Sequence, residues 1–186
     1  MKIRRIEPIA VRIPMKKPVV MAGVEIRMAE NVLVRVEADD GSIGWGEAAA
    51  APTMTGETIE SMLAAIAYLS PALLGQAAED IGHMMAALDA RMYGNYGAKA
   101  AIEIALHDLM GRATGRPACE LLGGKRRSRM PLMAVIGTGD FAADLKQADH
   151  TRRRATPPSR SKSASTSRCG TWNARARFAS ASERAP

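Results

Sequence analysis

The chain has 186 residues, 47% of them apolar, with 26 Lys and Arg against 19 Asp and Glu for a net charge of +7. That length supports one domain with a working core, and that apolar share excludes a wholly disordered chain. Two cysteines, Cys119 and Cys169, exclude a disulfide framework and a zinc-ligand spacing, and no stretch approaches a signal peptide or the ~18 apolar residues of a membrane helix, so a soluble, cytoplasmic protein is expected.

Ile9, Val11 and Ile13 alternate with polar or small residues, which predicts a half-buried strand that stops at Pro14. Residues 14–30 hold Met15, Lys16, Lys17, Pro18, Met21, Gly23, Val24 and Met28 without a clean period, and predict a long mobile connection. Val32, Val34 and Val36 then alternate with Leu33, Arg35 and Glu37, so their face should meet the core. Asp39-Asp40-Gly41 turns the chain into Ile43-Gly44-Trp45-Gly46-Glu47, an antiparallel hairpin in which Trp45 is expected to be buried.

A second irregular segment, 48–53, leads to Thr55, placed to cap a helix with Met62, Leu63, Ile66 and Leu69 on one face before Pro71. Residues 80–91 repeat the pattern with Ile81, Met84, Met85 and Leu88. Residues 98–114 carry Ala101, Ile102, Ala105, Leu106 and Leu109 at helical spacing, with Leu106 buried and Gly115 and Pro117 as stop signals. Three strands followed by three helices predict an α+β fold over residues 1–122, an antiparallel sheet on a helix bundle. After Pro117 a short helical turn ends at Leu122-Gly123-Gly124, and the basic run Lys125-Arg126-Arg127 follows. Residues 130–136 read as a fully buried strand and 141–148 as the start of a helix, so a βα unit occupies 123–150.

From Thr151 to Pro186 there is no Ile, Leu, Val or Met. Eight Arg, one Lys and one Glu give this tail a net +8 and leave residues 1–150 at −1. No packed core can form from such a composition, and a disordered tail is expected.

Several groupings invite a chemical reading and have a plainer one. Lys99, Glu103 and His107 fall at i, i+4 and i+8, a spacing at which Glu103 and His107 can reach one metal ion; a polar helix stripe is the expectation. Gly123-Gly124-Lys125 lacks the insert and the following Ser or Thr of a phosphate loop and is expected to be a turn. Met62, Met84, Met85 and Met92 are expected in the core rather than on a plastic binding face.

The strings Glu30 to Glu37, Asp40-Gly41-Ser42-Ile43-Gly44-Trp45-Gly46-Glu47, Thr55-Gly56-Glu57-Thr58, and Ala98 through His107-Asp108-Leu109-Met110-Gly111 to Leu122-Gly123-Gly124 occur in a specific order and spacing. In them the chain, to about residue 148, resembles the enolase superfamily, in particular the N-terminal capping domain of its mandelate racemase and muconate lactonizing enzyme branches. The resemblance implies a parent with an α+β cap followed by a modified TIM barrel of roughly 200 more residues. In such enzymes a Lys or His removes a proton α to a carboxylate of a small substrate, and Mg²⁺ held by acidic residues stabilises the enediolate. It also implies a homo-oligomer, no catalytic or metal-binding residue within this chain, and two loops that close over the barrel mouth and help choose the substrate. By resemblance these hold Met15, Lys16, Lys17, Met21, Gly23 and Val24 in one, and Ala51, Pro52, Thr53 and Met54 in the other.

The family's Lys-X-Lys barrel strand is absent as written, yet the tail read one base out of register allows it, with the second Lys equally open to Glu or Gln. Taking the last base of each codon with the first two of the next, from Thr151 onward, synonymous choices allow Ala-Ala-Ala-Gly-Tyr-Pro-Ala-Phe-Lys-Ile-Lys-Val-Gly-Val-Asp. An apolar strand and then a helical apolar face reappear. The expected break lies between about Lys146 and Thr151, and the chain is expected to be inactive because its barrel is lost. A second reading, from a different class, is a nucleic-acid-binding protein that uses the Arg-rich tail on phosphates.

Overall fold

A computed structural model describes residues 1–21, 24–129 and 140–154. Three antiparallel strands, β1 (Ile3–Met21), β2 (Val24–Ala38) and β3 (Ile43–Ala49), form a sheet in the order β1-β2-β3. The β2–β3 turn is the one expected: Ala38 N–H donates to the Ser42 carbonyl at 2.9 Å, and Gly41 takes φ 85°, which its missing Cβ makes inexpensive. Helices α1 (Ile59–Leu69) and α3 (Tyr96–Thr114) pack on one face of the sheet, α2 (Ile81–Arg91) packs against α3, and α4 (Ala118–Leu121) is a single turn. The α+β fold is the one the alternation predicts.

Val32, Val34, Val36 and Ala38 point inward from β2 and are fully buried. They meet Met62, Ile66 and Leu69 of α1, Met84 and Leu88 of α2, and Ile102, Leu106 and Leu109 of α3 in one apolar core. Met85 and Met92 pack against its margin, so all four methionines belong to the core, as expected. Gly115, at φ 67°, closes α3 in the left-handed conformation that stops a helix.

Trp45 corrects an expectation, because it is 40% exposed. Side chains alternate along a strand, and here Gly44 and Gly46 face α3. A Cβ on Gly46 would overlap the Ala101 carbonyl oxygen, and one on Gly44 would lie 2.5 Å from the Leu109 nitrogen. The helix therefore rests on the strand backbone, and the tryptophan is turned to the other side.

Two boundaries differ as well. The first strand does not stop at Pro14: β1 continues to Met21 with a register shift between Pro14 and Val19. Much of the expected mobile connection over 14–30 is thus a paired β arm. Proline is tolerated because β1 is an edge strand, where a missing N–H costs no interior ladder bond. The cap of α1 is Thr58 rather than Thr55; Ser61 N–H donates to Thr58 Oγ1 at 3.2 Å, and Thr58 N–H donates back to Ser61 Oγ at 2.9 Å.

Helix α5 (Phe141–Arg154) begins where the sequence predicts and runs past residue 148. The expected strand over 130–136 and residues 155–186 lie outside the described residues.

Candidate functional site

The sheet ends unevenly, and this places the candidate site. β3 stops at Ala49 opposite Asn31, while β1 and β2 run on as a two-stranded arm to Met21 and Val24. The chain leaving β3 therefore enters the second irregular segment at the foot of the arm, where Ala50 N–H donates to the Glu30 carbonyl at 2.8 Å. Both expected loops thus share one end of the sheet. Met15, Val24 and Met28 are exposed along the arm, as is Met54 on the second segment. Lys16, Pro52 and Thr53 are also exposed and Ala51 is half-buried. The side chains of Lys17 and Met21, and the whole of Gly23, fall outside the described residues.

Polar contacts tie these parts together. Arg12 Nε donates to Glu30 Oε1 at 2.9 Å and Arg12 Nη2 donates to Glu60 Oε1 at 3.1 Å, joining the foot of the arm to the first turn of α1. The hydrogen bond to Glu30 holds the Arg12 pKa above its usual range. Glu60 is held below the ordinary carboxylate value, first by hydrogen bonding to its own backbone amide, then by the Thr58 hydroxyl, with Arg12 adding attraction. Beside them the Asn31 side-chain amide donates to Glu47 Oε1.

The second segment is a compact turn. Met54 and Thr55 N–H both donate to the Ala51 carbonyl, at 2.9 and 2.8 Å, and Ala51 N–H donates to the Glu57 carbonyl at 3.1 Å. Glu57 itself is buried. Its carboxylate accepts from Gly97 N–H at 2.9 and 3.1 Å and from Ala98 N–H at 3.3 Å, in the first turn of α3. Asn95, which precedes that helix, supplies no side-chain cap. Glu57 does so from 40 residues away, a distance at which no local sequence pattern could announce it.

The expected polar stripe on α3 is only partly present. Glu103 is exposed and His107 half-buried, with His107 Nδ1 lying 3.0 Å from the Glu103 backbone carbonyl. Lys99 is instead 5% exposed; its Nζ donates to Asp89 Oδ1 at 2.8 Å and to the Met92 carbonyl at 2.6 Å, bracing α2 against α3. Among the described residues no three His, Cys, Asp or Glu side chains gather as a bound metal would require. No helix among them is long and apolar enough to cross a membrane.

The family description of the mandelate racemase / muconate lactonizing enzyme N-terminal domain matches residues 5–123, which hold the sheet, its hairpin arm and the three helices. The chain belongs to this family. It is 36% identical over 141 residues to the N-succinyl-L-Arg/Lys racemase of Bacillus cereus, covering 75% of this chain and 38% of that protein. The crystal structure of that racemase superposes with a TM-score of 0.78 at 33% identity, over 83% of this chain and 42% of that one. Chloromuconate cycloisomerase CbnB of Cupriavidus necator is 36% identical over 151 residues, which is 80% of this chain and 40% of the cycloisomerase. A dipeptide epimerase from Cytophaga hutchinsonii, in complex with Mg and the dipeptide D-Ala-L-Val, superposes with a TM-score of 0.74 at 28% identity, over 83% of this chain and 42% of the epimerase. The chain thus spans about two fifths of the length of these relatives, and residues 5–123 of it are the N-terminal domain of the mandelate racemase/muconate lactonizing enzyme family.

Proposed function

We propose that residues 1–122 are the cap of an enzyme that removes a proton α to a carboxylate of a small substrate, as a racemase, cycloisomerase or dehydratase does, and that the β1–β2 arm and the 50–55 segment close over that substrate. The observation that supports this is the shared end of the sheet, where two exposed, methionine-bearing segments project together from a domain of this family. Flexible apolar side chains such as Met15 and Met54 suit a lid that must fit a small organic molecule. The named substrates of the relatives, an N-succinyl amino acid, a chloromuconate and a dipeptide, all carry a carboxylate.

On this reading the base and the Mg²⁺ ligands belong to the barrel. Residues 123–150 begin that barrel and 151–186 are its continuation read out of frame. The chain of 186 residues is then a cap without its catalytic half, inactive by itself.

The nucleotide sequence of the locus tests this. Restoring one base near codons 146–151 should open a frame of roughly 200 further codons with alternating strand and helix patterns and acidic residues ending successive strands. If no frame encodes anything periodic, the tail is genuine and the proposal fails for this chain. Should the frame open, the restored enzyme should turn over an α-proton carboxylate, and Met15→Ala or Met54→Ala should move KM between substrates more than kcat. Equal loss on every substrate would remove the lid role.

A further inference from the structure

We propose that Glu57 is a positioning residue, a buried clamp that fixes the 50–55 segment by binding the start of α3. Three observations converge on it. Glu57 is 8% exposed, and its carboxylate accepts from the backbone N–H groups of Gly97 and Ala98. The first turn of α3 has donors that its own chain does not satisfy, since Asn95 contributes no side-chain cap. Position 97 is glycine, and a Cβ there would lie 2.8 Å from Glu57 Oε2. Helix start, carboxylate and glycine therefore fit as one device.

The clamp reaches the candidate lid directly. Glu57 gives its side chain to α3 and its carbonyl to Ala51 N–H, and the Ala51 carbonyl in turn receives Met54 and Thr55 N–H. The turn that presents Pro52, Thr53 and Met54 is thereby hung from a helix held in the core. The first turn of a helix has backbone N–H groups without intrahelical partners, and a carboxylate oxygen is a fitting acceptor for them. The consequence for substrate selection rests on the lid reading of the 50–55 segment; the ordering of that segment does not.

Hydrogen–deuterium exchange on the full 186-residue chain tests the ordering. In Glu57→Ala the 50–56 amides should exchange at least tenfold faster, while Val34 and Val36 of the buried strand keep their rates. Glu57→Gln keeps an acceptor oxygen and should restore part of the protection. Gly97→Ala leaves Glu57 in place and raises helix propensity, so a merely structural view predicts a more protected chain; the clamp predicts a looser 50–56 segment, because the methyl displaces the carboxylate. If Glu57→Ala changes the segment less than twofold, or speeds segment and strand together, the proposal is overturned. An unaltered or slower segment in Gly97→Ala overturns it equally, including where Glu57→Ala fails to fold. These rates do not depend on which frame the tail belongs to, so the clamp and the enzyme reading can fail separately.

Discussion

Gly46 sits where a methyl group would strike helix backbone, and backbone cannot swing aside as a side chain can. Gly46→Ala should therefore cost about 3 kcal/mol, at the upper end for overpacking, read as a lower urea midpoint at unchanged slope. Leu106→Ala acts by the opposite route, emptying a fully buried place, and should cost about 2–5 kcal/mol. Trp45, between Gly44 and Gly46, lies on the face its residue type does not suggest. An aromatic in an apolar strand suggests burial, yet the two flanking glycines carry the inward face, and their role depends on a helix more than fifty positions later. Sequence periodicity locates the strand; only the partner tells which side is in.

The charged residues add a pH dependence of known sign. Glu37 is held below its ordinary value of 4.5, chiefly by the hydrogen bond from Arg35, and Glu79 likewise by the Met1 amine. A folded value below the unfolded one gives stability that is present above about pH 4.5 and is lost as pH falls through the lowered value. The Met1 amine is raised above 8.0, first by its hydrogen bond to Glu79, so its contribution is full below 8.0 and fades as pH rises through the raised value. Thermal midpoints should fall at both extremes, and Glu79→Gln should flatten the alkaline decline. An alkaline decline unchanged in that variant would place its cause elsewhere.

Among the elements, the helices were the most legible, because an apolar face at 3.6-residue spacing and a glycine stop are local signals. Helices α2 and α3 begin within two residues of expectation and α3 ends where Gly115 predicts. The arm was not legible, for a physical reason. Its strands pair with each other beyond the end of β3, so neither face is buried and no alternation is imposed on Met15, Val19, Val24 or Met28. A strand with two wet faces has no hydrophobic period to read. The same fact yields a prediction: Met28→Lys or Ile13→Ser should change stability by no more than about 0.5 kcal/mol, although both remove an apolar residue from a strand. A loss comparable to that of Leu106→Ala would mean the arm is covered.

At the scale of the molecule, the purified chain should show no racemase, cycloisomerase or dehydratase turnover above a heat-killed control, with or without Mg²⁺. Reproducible turnover would sink the reading of the chain as a cap alone. The tail, at +8, carries more than the whole net charge of +7, while residues 1–150 are nearly neutral at −1. Any retention of nucleic acid in a gel shift should therefore vanish with moderate salt and with deletion of 151–186. Binding that survives both would bring the nucleic-acid reading to the front.

The contact between the two glycines of β3 and the backbone of α3 also sets an order of events during synthesis. Chains are made from the N-terminus, at about 5–20 residues per second. The sheet is complete by Ala49, yet its inner face has no Leu106 or Leu109 to meet until the last turns of α3 have been made. A nascent chain halted before Tyr96 has only α1 and α2 to lay over Val32, Val34 and Val36 and leaves Gly44 and Gly46 uncovered, while one halted after Thr114 already owns every residue of the core. The core is thus complete in sequence before residue 123, where the family match ends, so nothing made after that point is needed to close it.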